Sequence, residues 1–254
     1  DVSDVGPRQS VWKEAGAVWF KYPEKPAEEE FMPSEIPGLH MWISAKDINH
    51  HDEITKWKDR SYNKFSFYQY EEDNKPLLLP EGLNGQPVVK FDGNQWMHSS
   101  HKSEQISGRF GVFKDDDFTI FTVHRSTGNQ QVILCKKDEG WRGNWSIGEQ
   151  QDQFRWGFQD YIGAPSSEFK IRTYRRYGKN FEYWENGKKL ESANASIHFL
   201  NDWGQFYLGR RGNSTDYNLK GEIAEIIIFK GSISKDQIHD LTGYLGSEWG
   251  IDTT

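Results

Sequence analysis

Cysteine is almost missing from this chain: Cys135, in Val-Ile-Leu-Cys, stands alone among 254 residues. A lone thiol cannot close an internal disulfide or supply a cysteine zinc framework, and its apolar neighbours mark it as a small core residue, not a nucleophile. Long apolar runs are missing too, and none approaches the length that crosses a bilayer, so no membrane insertion is expected. A basic excess is also absent. With 31 Lys and Arg against 38 Asp and Glu, the net charge of −7 argues against nucleic acid as a partner and against a polybasic membrane anchor. The chain opens at Asp1 with neither Met nor an apolar signal core, which reads as a leader removed or a piece of a larger multidomain protein.

What is abundant is aromatic. Phe, Trp and Tyr make up 15% of the residues, with 11 Trp and 11 Tyr, in a chain whose mean hydropathy is −0.85. Rings that are apolar on the face and polar at one end suit a surface that meets sugars, although a sandwich of this size uses most of them as core.

Residues 1–36 are acidic and proline-marked, with Pro23, Pro26, Pro33 and Glu28-Glu29-Glu30, and read as an irregular leader or linker packed on the domain. Residues 37–254 read as one domain. Short strand patterns follow one another at Leu39–Ser44, Glu53–Asp59, Lys64–Tyr70, Pro87–Gly93, Asp117–Arg125, Trp145–Gly148, Gln153–Phe158, Lys170–Arg176 and Gln205–Arg211. Asn186-Gly187 supplies the positive φ angles of a hairpin turn between Asn180 and Leu190. The last strand, around Ile223 and Ile226-Ile-Ile-Phe229, is apolar enough to have both faces covered. After it, Ser234 and Gln237 form a capping box, Ile233 and Ile238 a hydrophobic staple, and Gly250 a stop. Between them Ile238, Leu241, Tyr244, Leu245 and Trp249 make an inward helical stripe. Many short strands, one helix and no βαβ alternation predict an all-β, antiparallel double-sheet jelly-roll β-sandwich with one short C-terminal amphipathic helix.

Seven segments carry a resemblance: Leu39-His-Met-Trp-Ile-Ser-Ala-Lys-Asp, Trp57-Lys-Asp-Arg-Ser-Tyr-Asn, Asn84-Gly-Gln-Pro-Val-Val-Lys-Phe-Asp-Gly, Asp117-Phe-Thr-Ile-Phe-Thr-Val, Tyr183-Trp-Glu-Asn-Gly, Tyr207-Leu-Gly-Arg, and Gly221-Glu-Ile-Ala-Glu-Ile-Ile-Ile-Phe through Trp249-Gly-Ile. In this order they resemble the laminin G-like, or concanavalin A-like lectin/glucanase, jelly rolls of large secreted bacterial proteins. The resemblance implies a secreted or cell-surface protein. Its superfamily includes carbohydrate-binding modules, adhesive modules, glycoside hydrolases and polysaccharide lyases, so it sets the fold and not the chemistry.

The hydrolase pattern of that superfamily, Glu-x-Asp-x-(x)-Glu on one strand, is absent. Glu222 with Glu225, and Glu182 with Glu185, are spaced so that alternation sends the two carboxylates to opposite faces. Gln237-Ile-His239 matches a lyase motif but lies inside the helix. Arg172, Tyr174 and Arg176 share a strand face and could hold an anionic sugar, or form a charged outer face paired with Glu182 and Glu185.

For binding, three loops combine Trp or Tyr with Arg, Asp or Asn next to Gly: Trp141, Arg142, Asn144 and Trp145; Trp203; and Arg210, Asp216 and Tyr217. These are the expected carbohydrate contacts. One structural Ca2+ is expected from the lectin-like class, with Asp47, Asp59 and Asn63, Asp92 and Asp115–Asp117 as candidate ligands. His50, His51, His98 and His101 lack zinc spacing. Asn144-Trp-Ser, Asn194-Ala-Ser and Asn213-Ser-Thr fit the N-glycan acceptor pattern, which matters only in a eukaryotic source. The expectation is a non-catalytic, lectin-like carbohydrate-binding module that takes a polysaccharide or glycan, within a polysaccharide-processing or adhesive protein. The alternatives are a jelly-roll lyase or hydrolase acting on an anionic polysaccharide, and a protein-binding adhesion module.

Overall fold

The computed structural model describes residues 31–49, 54–99, 117–127, 131–137, 145–149, 153–156, 166–194, 205–212 and 218–253. The chain divides into two units, Asp1–Phe31 and Met32–Thr254. In the second, a short turn of 3-10 helix at Pro33–Glu35 and the buried Ile36 precede the first strand.

The strands among the described residues are β1 (Leu39–Ser44), β2 (Lys56–Trp57), β3 (Phe67–Tyr68), β4 (Leu77–Leu83), β5 (Gln86–Asp92), β6 (Met97–His98), β7 (Phe118–Ser126), β8 (Gln131–Lys137), β9 (Trp145–Glu149), β10 (Gln153–Trp156), β11 (Lys170–Tyr177), β12 (Asn180–Glu185), β13 (Lys188–Asn194), β14 (Gln205–Leu208) and β15 (Lys220–Lys230). Helix α1 (Lys235–Trp249) follows them. They form two antiparallel sheets: an eight-stranded one ordered β13-β12-β11-β7-β15-β5-β4, with β1 also on β15, and a seven-stranded one ordered β10-β9-β8-β14-β6-β3-β2. The fold is the expected all-β jelly-roll sandwich with a single C-terminal helix.

Strand β15 is long enough to pair β5 through 220–223 and β1 through 225–229 along the same side. Its residues from Gly221 to Phe229 are all buried, because the inner face meets the other sheet and helix α1 covers the outer one. Trp184, Thr173, Phe121, Ile227 and Trp42 stand in register beneath that helix. The two ends of this row touch it, Trp184 against His239 and Trp42 against Tyr244.

Two expected strands are shorter than their sequence patterns. Among the described residues, Glu53–Asp59 contributes only Lys56–Trp57, and Lys64–Tyr70 only Phe67–Tyr68. Asp59 explains part of the difference. Its carboxylate accepts from the backbone N–H groups of Trp42, Ser61 and Phe65 and from the Ser61 hydroxyl, folding 59–65 into a turn instead of a ladder. Strand β4 carries Pro80, which its place at the sheet edge and the register slip between Leu79 and Leu83 accommodate. It enters β5 through Asn84-Gly85, both at positive φ.

Candidate functional site

The two-residue period of the strands gives the seven-stranded sheet two chemically different faces. One is core: Trp57, Phe67, Met97, Leu134, Ile147 and Leu208 are at most 1% exposed. The residues between them face away from it. Their register draws one line across the sheet, Lys56 to Tyr68, to His98, to Tyr207, to Cys135, and on in the backbone through Ser146 and Arg155.

Around this line the rings assemble. Tyr68 and Tyr70 stack at 6.0 Å and 14°, with Tyr70 52% exposed. The Trp96 ring lies 5.7 Å from His98 and 6.2 Å from Tyr207. Tyr207, Cys135 and Val132 form a buried floor on which Trp96 packs. Cations sit on the rings: the Lys56 ammonium is 5.2 Å from the centre of Tyr68, and the Arg210 guanidinium is 3.8 Å from that of Trp96 and 5.9 Å from that of Tyr207.

The segments that present these side chains are pinned by backbone contacts. Buried Gln69 donates its side-chain amide to the Trp96 carbonyl at 2.8 Å, and the Trp96 N–H bonds the Asn74 carbonyl at 3.1 Å. Arg210 follows Gly209, whose φ of +77° and place against Phe91 leave no room for a side chain: a Cβ there would lie 2.6 Å from the Phe91 ring. The Arg210 carbonyl accepts from the Cys135 thiol at 3.3 Å, and its Nε donates to the Gly212 carbonyl, which fixes the guanidinium plane. Burial lowers the pKa of Arg210, opposed by the fields of Tyr207, Cys135 and Glu71. The group nevertheless stays charged at any physiological pH. Ring platforms flanked by cationic donors can receive the apolar face of a sugar and bond its oxygens.

Of the sequence-predicted contacts, the structure brings Arg210 into this site. Trp145 begins β9, its backbone paired with Lys136 and Trp156. Trp141, Arg142, Asn144, Trp203, Asp216 and Tyr217 lie outside the described residues, as do His50, His51, His101, Asp115, Asp116, Asn213 and the side chain of Asn194. The sequence reading missed Tyr68, Tyr70, Trp96 and Tyr207 as site residues. A signal existed in Phe67-Tyr-Gln-Tyr70, Trp96-Met-His98 and Phe206-Tyr-Leu208, where amphipathic rings alternate with buried residues.

The charged constellations of the eight-stranded sheet are engaged elsewhere. Arg172, Arg176 and Glu182 are buried, which corrects the expected charged outer face. The cross-strand pairing of Arg172 with Glu185 and of Arg175 with Glu182 is present, with Arg172 also bonded to the ring of buried His124. Glu222 and Glu225 require a second correction. A bulge at Ala224 sets them opposite Arg125 and Val123, two residues apart on β7, and so on the same face. They still form no acid pair: Glu222 bonds Arg125 at 2.8 Å, while buried Glu225 accepts from the indoles of Trp42 and Trp249 and from Ser44. Two calcium candidates are committed to turns, Asp59 as above and Asp47 in a two-point pair with Arg60. Among the described residues no three His, Cys, Asp or Glu side chains are grouped for a metal.

The chain matches no protein family and no curated protein. Its likenesses are to solved structures. Domain 4 of AbnA, a GH43 extracellular arabinanase from Geobacillus stearothermophilus solved with arabinotriose, superposes with a TM-score of 0.57 at 13% identity over 80% of this chain and 98% of that domain. Trypanosoma rangeli sialidase with sialic acid gives 0.56 at 14% over 85% of this chain and 34% of the enzyme. The binding domain of botulinum neurotoxin serotype G gives 0.57 at 14% over 84% and 54%. The chain thus spans about a third of the sialidase and about half of the toxin fragment. At such identities the likeness is one of fold.

Proposed function

We propose that this domain is a non-catalytic, lectin-like carbohydrate-binding module of the laminin G-like type, belonging to a secreted polysaccharide-processing or adhesive protein. The observation that carries the reading is the line of rings and cations across the outer face of the seven-stranded sheet, from Lys56 and Tyr68 through His98 to Tyr207, with Tyr70, Trp96 and Arg210 beside it. Aromatics held by a sheet and opening to solvent at Tyr70 are suited to hold a saccharide by its apolar faces. The arabinotriose on the arabinanase domain and the sialic acid on the sialidase support a glycan as the partner. The absence of a helix long and apolar enough to cross a membrane among the described residues is compatible with secretion. The loop residues Trp141, Arg142, Asn144, Trp145, Trp203, Asp216 and Tyr217 are proposed as further contacts.

Tyr70 is the cleanest probe, because it is 52% exposed and stacks on Tyr68. Tyr70→Ala is expected to weaken retention on a glycan array roughly 2- to 10-fold with an unchanged melting temperature. Unchanged retention by Tyr70→Ala, Trp141→Ala and Trp203→Ala, all folded, removes the reading. New reducing ends or unsaturated uronate on the bound glycans would replace it with a hydrolase or lyase. Folded protein that retains no glycan would leave the protein-binding alternative.

A further inference from the structure

We infer that Gln69 is the positioning residue of the aromatic strip, the side chain that holds the exposed Tyr70 ring and the Trp96 ring in one fixed arrangement. The inference rests on the glycan-binding reading above and adds the residue on which the geometry of that site depends.

Gln69 follows strand β3, stands between Tyr68 and Tyr70, and is 2% exposed. Its backbone N–H donates to the Thr55 carbonyl at 2.9 Å, which fastens it to the segment entering β2. Its side-chain Oε1 accepts the Glu71 N–H at 3.0 Å, and its Nε2 donates to the Trp96 carbonyl at 2.8 Å. The first of these side-chain bonds closes a ring through the backbone of Tyr70, the residue between acceptor and donor, and so restricts where its ring can point. The second holds the peptide that carries Trp96. Both atoms belong to one planar amide, so neither segment shifts unless the other follows or a bond breaks.

The surrounding contacts close a loop on this link. The Trp96 N–H bonds the Asn74 carbonyl at 3.1 Å, and Asn74 returns to Glu71 through its backbone N–H at 3.0 Å and its side chain at 2.6 Å. Glu71 is exposed and Asn74 half-buried, so water can take over their bonds. Gln69 is the buried member. Without its amide the Trp96 carbonyl and the Glu71 N–H lose the partners that order them. Rings that receive a flat sugar face bind best when their planes are set before the ligand arrives, because ordering them on binding costs entropy.

The test compares Gln69→Glu and Gln69→Met with the parent protein on an array of arabino-oligosaccharides and sialylated glycans. Gln69→Glu keeps an acceptor for Glu71 but turns the Trp96 donor into an acceptor, and Gln69→Met keeps the shape and drops both bonds. Each is expected to weaken retention about fivefold or more. In a Tyr70→Ala background Gln69→Met should add less than about twofold, because its effect passes largely through that ring. In protein labelled with 5-fluorotryptophan, the 19F resonance that Trp96→Phe removes should move in both variants. Asn84→Gly, in the turn between β4 and β5, is the stability control: it should lower the melting temperature and move neither readout. Gln69→Asn keeps the amide on a shorter arm, and the same losses are expected from it if the other variants fail to fold. Folded Gln69 variants with unchanged retention and an unmoved Trp96 resonance would overturn the positioning role and leave glycan binding standing. Equal loss of retention in Asn84→Gly would overturn it too, since general destabilisation would then suffice. No retention by the parent protein would overturn both.

Discussion

At the scale of single residues, buried histidines make stability depend on pH. His40 on β1 is 8% exposed, with its ring 5.1 Å from Phe65 and its Nδ1 3.4 Å from the Asn63 amide nitrogen. An amide N–H facing that nitrogen requires a neutral ring. Burial, and then the charge of Lys230, push its pKa down to about 4. In the unfolded chain the ring titrates near the ordinary histidine value of 6.5. Between these values the unfolded chain takes up a proton that the folded one refuses. The stability due to neutral His40 is therefore complete above about pH 6.5 and is lost as pH falls towards 4, by up to about 3 kcal/mol. His124, buried and bonded to Thr122 beside the charge of Arg172, acts in the same direction. Urea midpoints measured from pH 7.5 to 4.5 should fall less steeply for His40→Gln than for the parent protein. Parallel curves would rule His40 out as the source.

At the scale of elements, helix α1 is fastened at both ends, once by its own sequence and once by a distant turn. Its start is local: Ser234 accepts the Gln237 N–H at 3.1 Å, the Gln237 side chain accepts the Ser234 N–H at 2.8 Å, and Ile233 and Ile238 are buried. Its end is partly non-local. Gly250 takes the left-handed conformation, and the Asn84 side chain, from the turn between β4 and β5, donates to the carbonyls of Trp249 and Gly250 at 2.8 and 2.9 Å. Asn84→Asp keeps a residue that tolerates positive φ but exchanges the donor for a negative charge at the carbonyl end of the helix. It should lower unfolding free energy by about 2 kcal/mol, against about 1 kcal/mol for Asn84→Gly, which only loses the bonds. Thermal melts of the two variants check this. Equal losses would mean that the helix dipole contributes nothing there.

At the scale of the whole molecule, the sandwich was largely legible and the site was not. The β15–α1 unit could be read because its signals are local: an apolar run, a capping box, a glycine stop. The bulge at Ala224 could not, since it is defined by pairing with β7 and reverses the face on which Glu225 lies. The aromatic strip was missed for a related reason. Its members come from β2, β3, β6 and β14, two-residue pairings apart from β14, and only sheet order makes neighbours of Tyr68, His98 and Tyr207. Arg210 was found because Gly209 and Gly212 mark its loop. A structural Ca2+ is proposed for Asp92 and Asp115–Asp117, where Asp92 and Asp117 each accept a single backbone N–H, whereas both oxygens of Asp47 and of Asp59 accept from protein donors. A chelator is then expected to lower the melting temperature of the domain, and an unchanged melt removes the ion.

The alternation of core and strip along the same strands also governs how such a protein can change over time. Met97 faces inward and its neighbours Trp96 and His98 outward, and Leu208 and Tyr207 divide in the same way. Replacing an exposed outward letter such as Tyr70 leaves the core on the opposite face intact, so the open positions of the strip can drift while the chain keeps folding. The sheet behaves as a fixed typeface with interchangeable characters, and a lineage carrying it can acquire a new ligand without rebuilding its interior.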